Sequence, residues 1–213
     1  MSFTLNEALT QLRRSLGDTD VVNAQWSSED LEQHLQHALE ALSLVLPRQI
    51  KSTLTTTAGS RDIDISSLQH RIGIEAVEYP TGIYPPAYVA YSTWGDTLTL
   101  LTDAAPAGSE SVAIYWRALH TIDPSGATLP SWAERLIVEG AAGYAALEWA
   151  SHATNRINVG GDQTWEHYLE WGKQRLTAFH EALAAQQRRG GVRVHALFSP
   201  ANAKPSQTTD WGP

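Results

Sequence analysis

Residues 49–128 interrupt an otherwise helical sequence, and this interruption restricts the chain to a mixed fold whose helices are not consecutive. On either side, apolar residues recur every three or four positions. Inside the interruption that period disappears, and Thr, Val, Ile and Tyr alternate between Gly and Pro punctuation.

Four helices are expected. The first spans about 4–16, with Leu5, Ala8, Leu9, Leu12 and Leu16 on one face. The second spans about 28–46, carrying Leu31, Leu35, Ala38, Leu42 and Val45; Glu29 and Asp30 suit its N-terminal dipole and Pro47 stops it. The third spans about 131–153, with Ser131 as N-cap and Glu134 completing a capping box. Trp132 in its first turn is expected to pack inward. The fourth spans about 162–188, with a stripe of Trp165, Leu169, Gly172, Leu176, Phe179 and Leu183, and Gly190-Gly191 ends it.

The interruption predicts strands. Ile63 and Ile65 alternate with Asp62 and Asp64, and Val112, Ile114, Trp116 and Ala118 alternate with Tyr115 and Arg117. Tyr88–Trp94 and Thr97–Thr102 flank Gly95-Asp96 as a tight hairpin. The fold class is therefore α+β, mainly α: a bundle of about four helices with an inserted small antiparallel sheet and an extended C-terminal tail. Residues 1–188 are read as a single domain and 189–213 as the tail. Within that tail, Val192–Phe198 has the composition of a short strand, and Ser199–Pro213 has no periodicity.

Charge and residue usage narrow the function. The chain contains no Cys, which excludes disulfides, thiolate nucleophiles and Cys-based zinc sites. Residues 1–130 carry 15 acids and 7 bases, and the rest carry 8 of each. That acidic balance gives no electrostatic footprint for gripping nucleic acid, although it would permit a chain to surround DNA without binding it. The longest apolar stretch, Leu136–Ala150, holds Glu139 and Glu148 and is too short for a bilayer, so no membrane partner is expected.

Candidate chemistry is sparse. His34 and His37 share a helix face, but no third ligand is placed near them, and a solvated face is the expected setting. Asp62 and Asp64 begin like a calcium loop, which then fails at Ser67 and Gly73. Glu166, His167 and Glu170 fall on the wet side of the fourth helix. Glu139, set among apolar residues, is expected at the stripe's exposed edge; if buried it needs an arginine partner. No nucleophile elbow, phosphate loop or dinucleotide fingerprint occurs. No catalytic residue, cofactor or metal is assigned.

Surface-forming features stand out more. Gly140, Ala141, Gly143, Ala145 and Ala146 give the third helix a side of small residues, suited to close approach of a helix from the bundle or from another subunit. Tyr79-Pro80-Thr81-Gly82-Ile83-Tyr84-Pro85-Pro86-Ala87-Tyr88 is an aromatic, proline-rich segment whose stiff backbone suits docking. From Arg188 on there are four bases and one acid, so Arg188, Arg189 and Arg193, with the aromatic Phe198 and Trp211, join Tyr79, Tyr84, Pro85, Pro86 and Tyr88 as candidate interaction residues.

The order of these elements resembles the head-to-tail adaptor (connector) proteins of tailed bacteriophages. The likeness rests on the Ser28-Glu29-Asp30-Leu31 to Leu46-Pro47 helix and on a β-rich insertion with Asp64-Ile65-Ser66-Ser67-Leu68. It rests further on Ile74-Glu75-Ala76-Val77-Glu78-Tyr79-Pro80 with Pro85-Pro86 following, and on Leu129-Pro130 opening a Gly/Ala-rich helix. The resemblance covers about residues 1–188. It implies a virion protein of the neck, assembled in the host cytoplasm, that binds the portal protein and receives the tail or further neck proteins. It also implies a homo-oligomeric ring of about twelve copies around double-stranded DNA. The other readings are a small hydrolase or isomerase with scattered His and acidic residues, marked by perturbed titratable groups in one pocket, and a virion completion protein that does not touch the portal.

Overall fold

The computed structural model describes residues 3–20, 22–153 and 164–197. The fold is α+β: four helices and three small sheets, in the order α1 (Leu5–Leu16), α2 (Ser28–Val45), β1 (Arg48–Thr55), β2 (Asp62–Asp64), β3 (Arg71–Glu78), β4 (Tyr88–Val89), β5 (Tyr91–Trp94), β6 (Thr97–Leu100), β7 (Ser111–Ala118), β8 (Ile122–Asp123), β9 (Gly126–Ala127), α3 (Ser131–Ala153) and α4 (Thr164–Leu197). The chain divides into two compact units. One comprises Met1–Arg48 and Leu119–Arg189, and the other is described over Gln49–Ala118.

The helical unit starts from local signals. Thr4 caps α1 through a reciprocal box with Glu7, and Gly17, at φ +73°, closes it. The chain then turns on Asp18, whose carboxylate takes the Arg13 guanidinium at 2.5 Å and the Gln25 amide at 2.7 Å. Ser27 and Asp30 form a second capping box at the start of α2. The stripes of α1 and α2 meet α3 in one core, where Leu12, Leu31, Leu35, Leu39, Leu42, Ile137 and Phe179 are essentially solvent-free.

The small residues of α3 serve this bundle. A methyl group added at Gly140 would stand 2.9 Å from the Phe179 ring, and one at Gly143 would stand 2.8 Å from Leu176 Cγ. A methyl at Gly172 would stand 3.1 Å from the Gly143 carbonyl oxygen. Helices α3 and α4 therefore approach almost backbone to backbone. Glu139 lies at the edge of that contact, half-exposed, bonded to Arg135 at 2.9 Å and 3.8 Å from Arg175 of α4.

The strand-rich unit has its own core. Its four-stranded sheet has the order β1-β7-β3-β4 and its three-stranded sheet the order β2-β6-β5. Ile63 and Ile65, with Leu98 and Leu100, join Val77, Val112, Ile114 and Trp116 in a single buried cluster. The alternation along 111–118 is as the pattern predicts, with Tyr115 and Arg117 turned outward.

Several expectations need correcting. The strand foreseen over 88–94 breaks at Ala90. Tyr88 and Val89 pair with β3, whereas Tyr91–Trp94 pair with β6, because the chain crosses from one sheet to the other. Helix α4 runs through Gly190 and Gly191 to Leu197, so the short strand over Val192–Phe198 does not form along its described part. Two glycines cost a helix only about 1 kcal/mol each, which its continuation can absorb. Ser131 is the first residue of α3 and not the residue before it. Trp132 is 47% exposed, since the inward stripe of α3 begins one residue later at Ala133. His34 is buried, its Nε2 lying 3.3 Å from Glu148, while His37 is exposed and stacks on Tyr144 at 4.0 Å.

Candidate functional site

The proline-rich segment begins where β3 ends. Pairing of Val77 with Val89 and Glu78 with Tyr88 brings its two ends together, and the Tyr79 amide donates to the Ala87 carbonyl at 2.9 Å. A short two-strand neck thus holds residues 80–86 as a projecting loop. Its Tyr79-Pro80 and Tyr84-Pro85 peptide bonds are cis.

Two carboxylates secure the neck. Glu78, almost fully buried, accepts the Tyr115 hydroxyl at 2.7 Å and the Lys51 ammonium at 3.1 Å. Lys51 in turn sits 4.8 Å above the Tyr115 ring, and Tyr88 meets that ring edge-on at 6.0 Å. Glu110 accepts the Tyr79 hydroxyl at 2.5 Å and the Ala107 amide at 3.0 Å. Charge-assisted bonds of this kind are about twice as strong as neutral ones.

The tip differs in character from the neck. Tyr84 is 94% exposed and Ile83 51%, and Gly82, Pro85 and Pro86 are exposed as well. An apolar tip on a well-bonded neck presents contact area while paying little ordering entropy on binding. The structure therefore divides the candidate residues by role. Tyr79 and Tyr88 belong to the neck; Tyr84, Pro85 and Pro86 are exposed at the tip. Arg188 is exposed, with Nε donating to the Ala184 carbonyl at 3.3 Å. Arg189 and Arg193 lie along α4. Phe198 and Trp211 fall outside the described residues.

Sequence reasoning passed over two exposed apolar residues of the same unit. Trp94, 90% exposed, stands directly before the Gly95 turn, and Leu101, 58% exposed, follows β6. The signal for Trp94 was available: a tryptophan at the last position before a hairpin turn has little sheet to pack against.

Among the described residues no group of His, Asp and Glu is arranged to hold a metal ion, and the two histidines with shifted pKa values lie apart. Burial lowers the pKa of His34 below the usual histidine range, with Glu148 acting in the opposite sense. His120 is also lowered by burial, against the pull of its carbonyl partners. Its Nδ1 lies 3.0 Å from the Thr128 carbonyl oxygen and its Nε2 3.1 Å from that of Leu46. Leu46 and His34 are separated by about 18 Å along the α2 direction, at 1.5 Å per residue. Glu166, His167 and Glu170 are exposed, as are Asp62 and Asp64. No helix among the described residues is long and apolar enough to cross a membrane.

The neck of the loop makes an acid-sensitive element. The Tyr115 hydroxyl, and then Lys51, hold the Glu78 carboxyl below its usual value of 4.5. A carboxylate with a depressed folded pKa stabilises the fold at and above its ordinary range and loses that contribution as pH falls through the depressed value. Melting temperature measured by circular dichroism from pH 7 to pH 2.5 is expected to show this loss below pH 4.5. Glu78→Gln is expected to be less stable at neutral pH and to show a shallower acid decline. An unchanged acid limb in that variant would remove Glu78 from this role.

No protein-family profile matches the chain, and no curated protein does. Among solved structures, the chain is similar to one described as the neck of an empty GTA particle computed with C6 symmetry. The two are 16% identical, the match covers 76% of this chain and 87% of that one, and the TM-score is 0.29. A likeness with so low a TM-score carries no weight for function.

Proposed function

We propose that this chain is a structural subunit of the neck of a tailed-phage-type particle, set between portal and tail, and that the loop at residues 80–86 is one of its docking elements. The observation that carries the reading is the loop itself: a neck tied by two buried or half-buried acid clusters, ending in exposed Ile83, Tyr84, Pro85 and Pro86. Enzyme loops are more often built around convergent polar groups, and this tip has none. The order of helices and strands that resembles adaptor proteins supports the same conclusion. So does the excess of acids over residues 1–130, because an acidic wall lets duplex DNA pass without holding it.

In this reading the chain forms a ring of about twelve copies whose individual contacts are weak and become strong as an array on the portal. It uses no cofactor and makes no sequence-specific contact with DNA. The deciding experiment is electron microscopy of the purified protein with and without a portal ring from the same particle. Rings on the portal support the reading, and a folded protein that never joins the portal overturns it.

The loop provides a sharper test. Tyr84→Ala is expected to leave the far-ultraviolet dichroism and melting temperature unchanged, since the side chain touches little. Loss of a central aromatic anchor costs an interface about 2–4 kcal/mol, so attachment should weaken about 30-fold or more. Equal attachment of variant and wild type would exclude the tip from the interface.

A further inference from the structure

The helical unit carries two open depressions of opposite charge, one at each end of α1. The first, about 570 Å³, is lined by Arg14 at the end of α1 and by His167, Tyr168, Trp171 and Arg175 of α4. Its aromatic floor is rimmed by cations. Arg175 lies 4.8 Å over the Trp171 ring, and the Arg14 side chain is exposed and makes no hydrogen bond or ion pair among the described residues. The second, about 360 Å³, has an apolar floor of Leu5, Leu35 and Ile122 and is rimmed by Glu29 and Glu32. Both glutamates are exposed and unpaired among the described residues.

Leu5 and Arg14 are nine residues apart. At 1.5 Å per residue that places them about 14 Å apart along the axis of α1. A chain with two separate, complementary surfaces has what a head-to-tail contact between identical copies requires, and such contacts generate rings when the rotation closes. Opposite charge around apolar floors is also the arrangement that selects a register in a protein interface.

We infer that these two surfaces meet between neighbouring copies of this chain, Arg14 and Arg175 of one copy facing Glu29 and Glu32 of the next. The contact supplies the lateral interface of the ring, and it rests on the neck reading only for closure into a ring. Because the charges are exposed, the contact is screened by salt, and self-association should fall on the order of tenfold between 50 and 300 mM NaCl.

The test is a charge exchange read by sedimentation over a wide concentration range at low salt. Wild type is expected to associate reversibly. The double variant Arg14→Glu/Arg175→Glu alone and the double variant Glu29→Arg/Glu32→Arg alone are each expected to stay monomeric, since each then presents like charges on both surfaces. Mixed in equal amounts, the two should associate again, because every cross-contact pairs opposite charges. Should a reversed variant misfold by circular dichroism, Arg14→Gln and Glu32→Gln are each expected to weaken self-association, and unchanged association in both overturns the inference.

A wild type that is monomeric throughout overturns the inference, as does a mixture that stays monomeric. Reversal at Arg14 that weakens portal attachment but leaves self-association unchanged also overturns it, and would assign the cationic surface to another protein. Portal attachment of the wild type is a separate measurement, so the neck reading can stand where the lateral contact fails.

Discussion

Phe179→Ala is expected to lower the stability of the helical unit by about 3–5 kcal/mol, measured by urea unfolding with circular dichroism. The ring is 1% exposed, lies edge-on to Tyr144 at 6.4 Å and fills the space that Gly140 leaves free. Truncation leaves a cavity bounded by two helices whose close approach already fixes their positions, so little collapse can offset the lost contacts. Domains of this kind are stable by only about 5–15 kcal/mol, so the variant should be partly unfolded at moderate temperature. A loss below about 1 kcal/mol would mean that α4 is held by contacts other than this ring.

Substitution at Gly143 should be graded by size, with Gly143→Leu costing about 3 kcal/mol or more. Two effects oppose each other in Gly143→Ala. Alanine favours a helix over glycine by about 1 kcal/mol, but its methyl group would meet Leu176 Cγ at 2.8 Å and Cδ2 at 3.0 Å. Leu176 is half-buried and borders an open depression, so its Cδ2 can swing aside, but its Cγ, one bond from Cβ, cannot follow without moving α4. The steric term should win by about 1 kcal/mol for alanine and by more for any larger residue. Coupling to Leu176→Ala in a double-mutant cycle should recover part of the cost, because the deletion makes room for the insertion. Gly143→Ala that stabilises the protein would show that the helices can separate.

Which parts of this structure the sequence announces follows from periodicity. Helices α1 and α2 were read from single stripes, and the segment at 111–118 from strict alternation, because each packs one face against a core. His34 was misassigned for the converse reason. It lies three residues after Leu31, on the buried face, but a polar residue type there argues for solvent until Glu148 of α3 is seen beside it. Trp132 misled through its size, since the largest apolar side chain of a first turn precedes the inward stripe. The small residues of α3 allowed either a bundle contact or a subunit contact, and their described partners, Phe179 and Leu176, come from within the bundle.

The projecting loop was visible as composition but not as construction. Its proline and tyrosine content marked the segment, yet nothing local shows that Glu78 secures its neck through Lys51 and Tyr115, or that Glu110 does so through the Tyr79 hydroxyl, pairs far apart in sequence. The split at Ala90 is equally hidden, because both halves carry ordinary strand residues and only long-range pairing separates them.

The attachment points of the strand-rich segment have an evolutionary consequence. The chain leaves the helical unit just after Leu46 and returns to it at His120, whose amide bonds Ser43 at 2.9 Å and whose imidazole reaches the Leu46 carbonyl. Departure and return are thus stitched together on the helical side by one histidine. A segment joined through two neighbouring points behaves as a cassette: it can lengthen, shorten or be exchanged between related chains without moving the helices that carry it. Selection acting on the loop would then be free to run at its own pace, while the bundle stays constrained by its glycine-packed core.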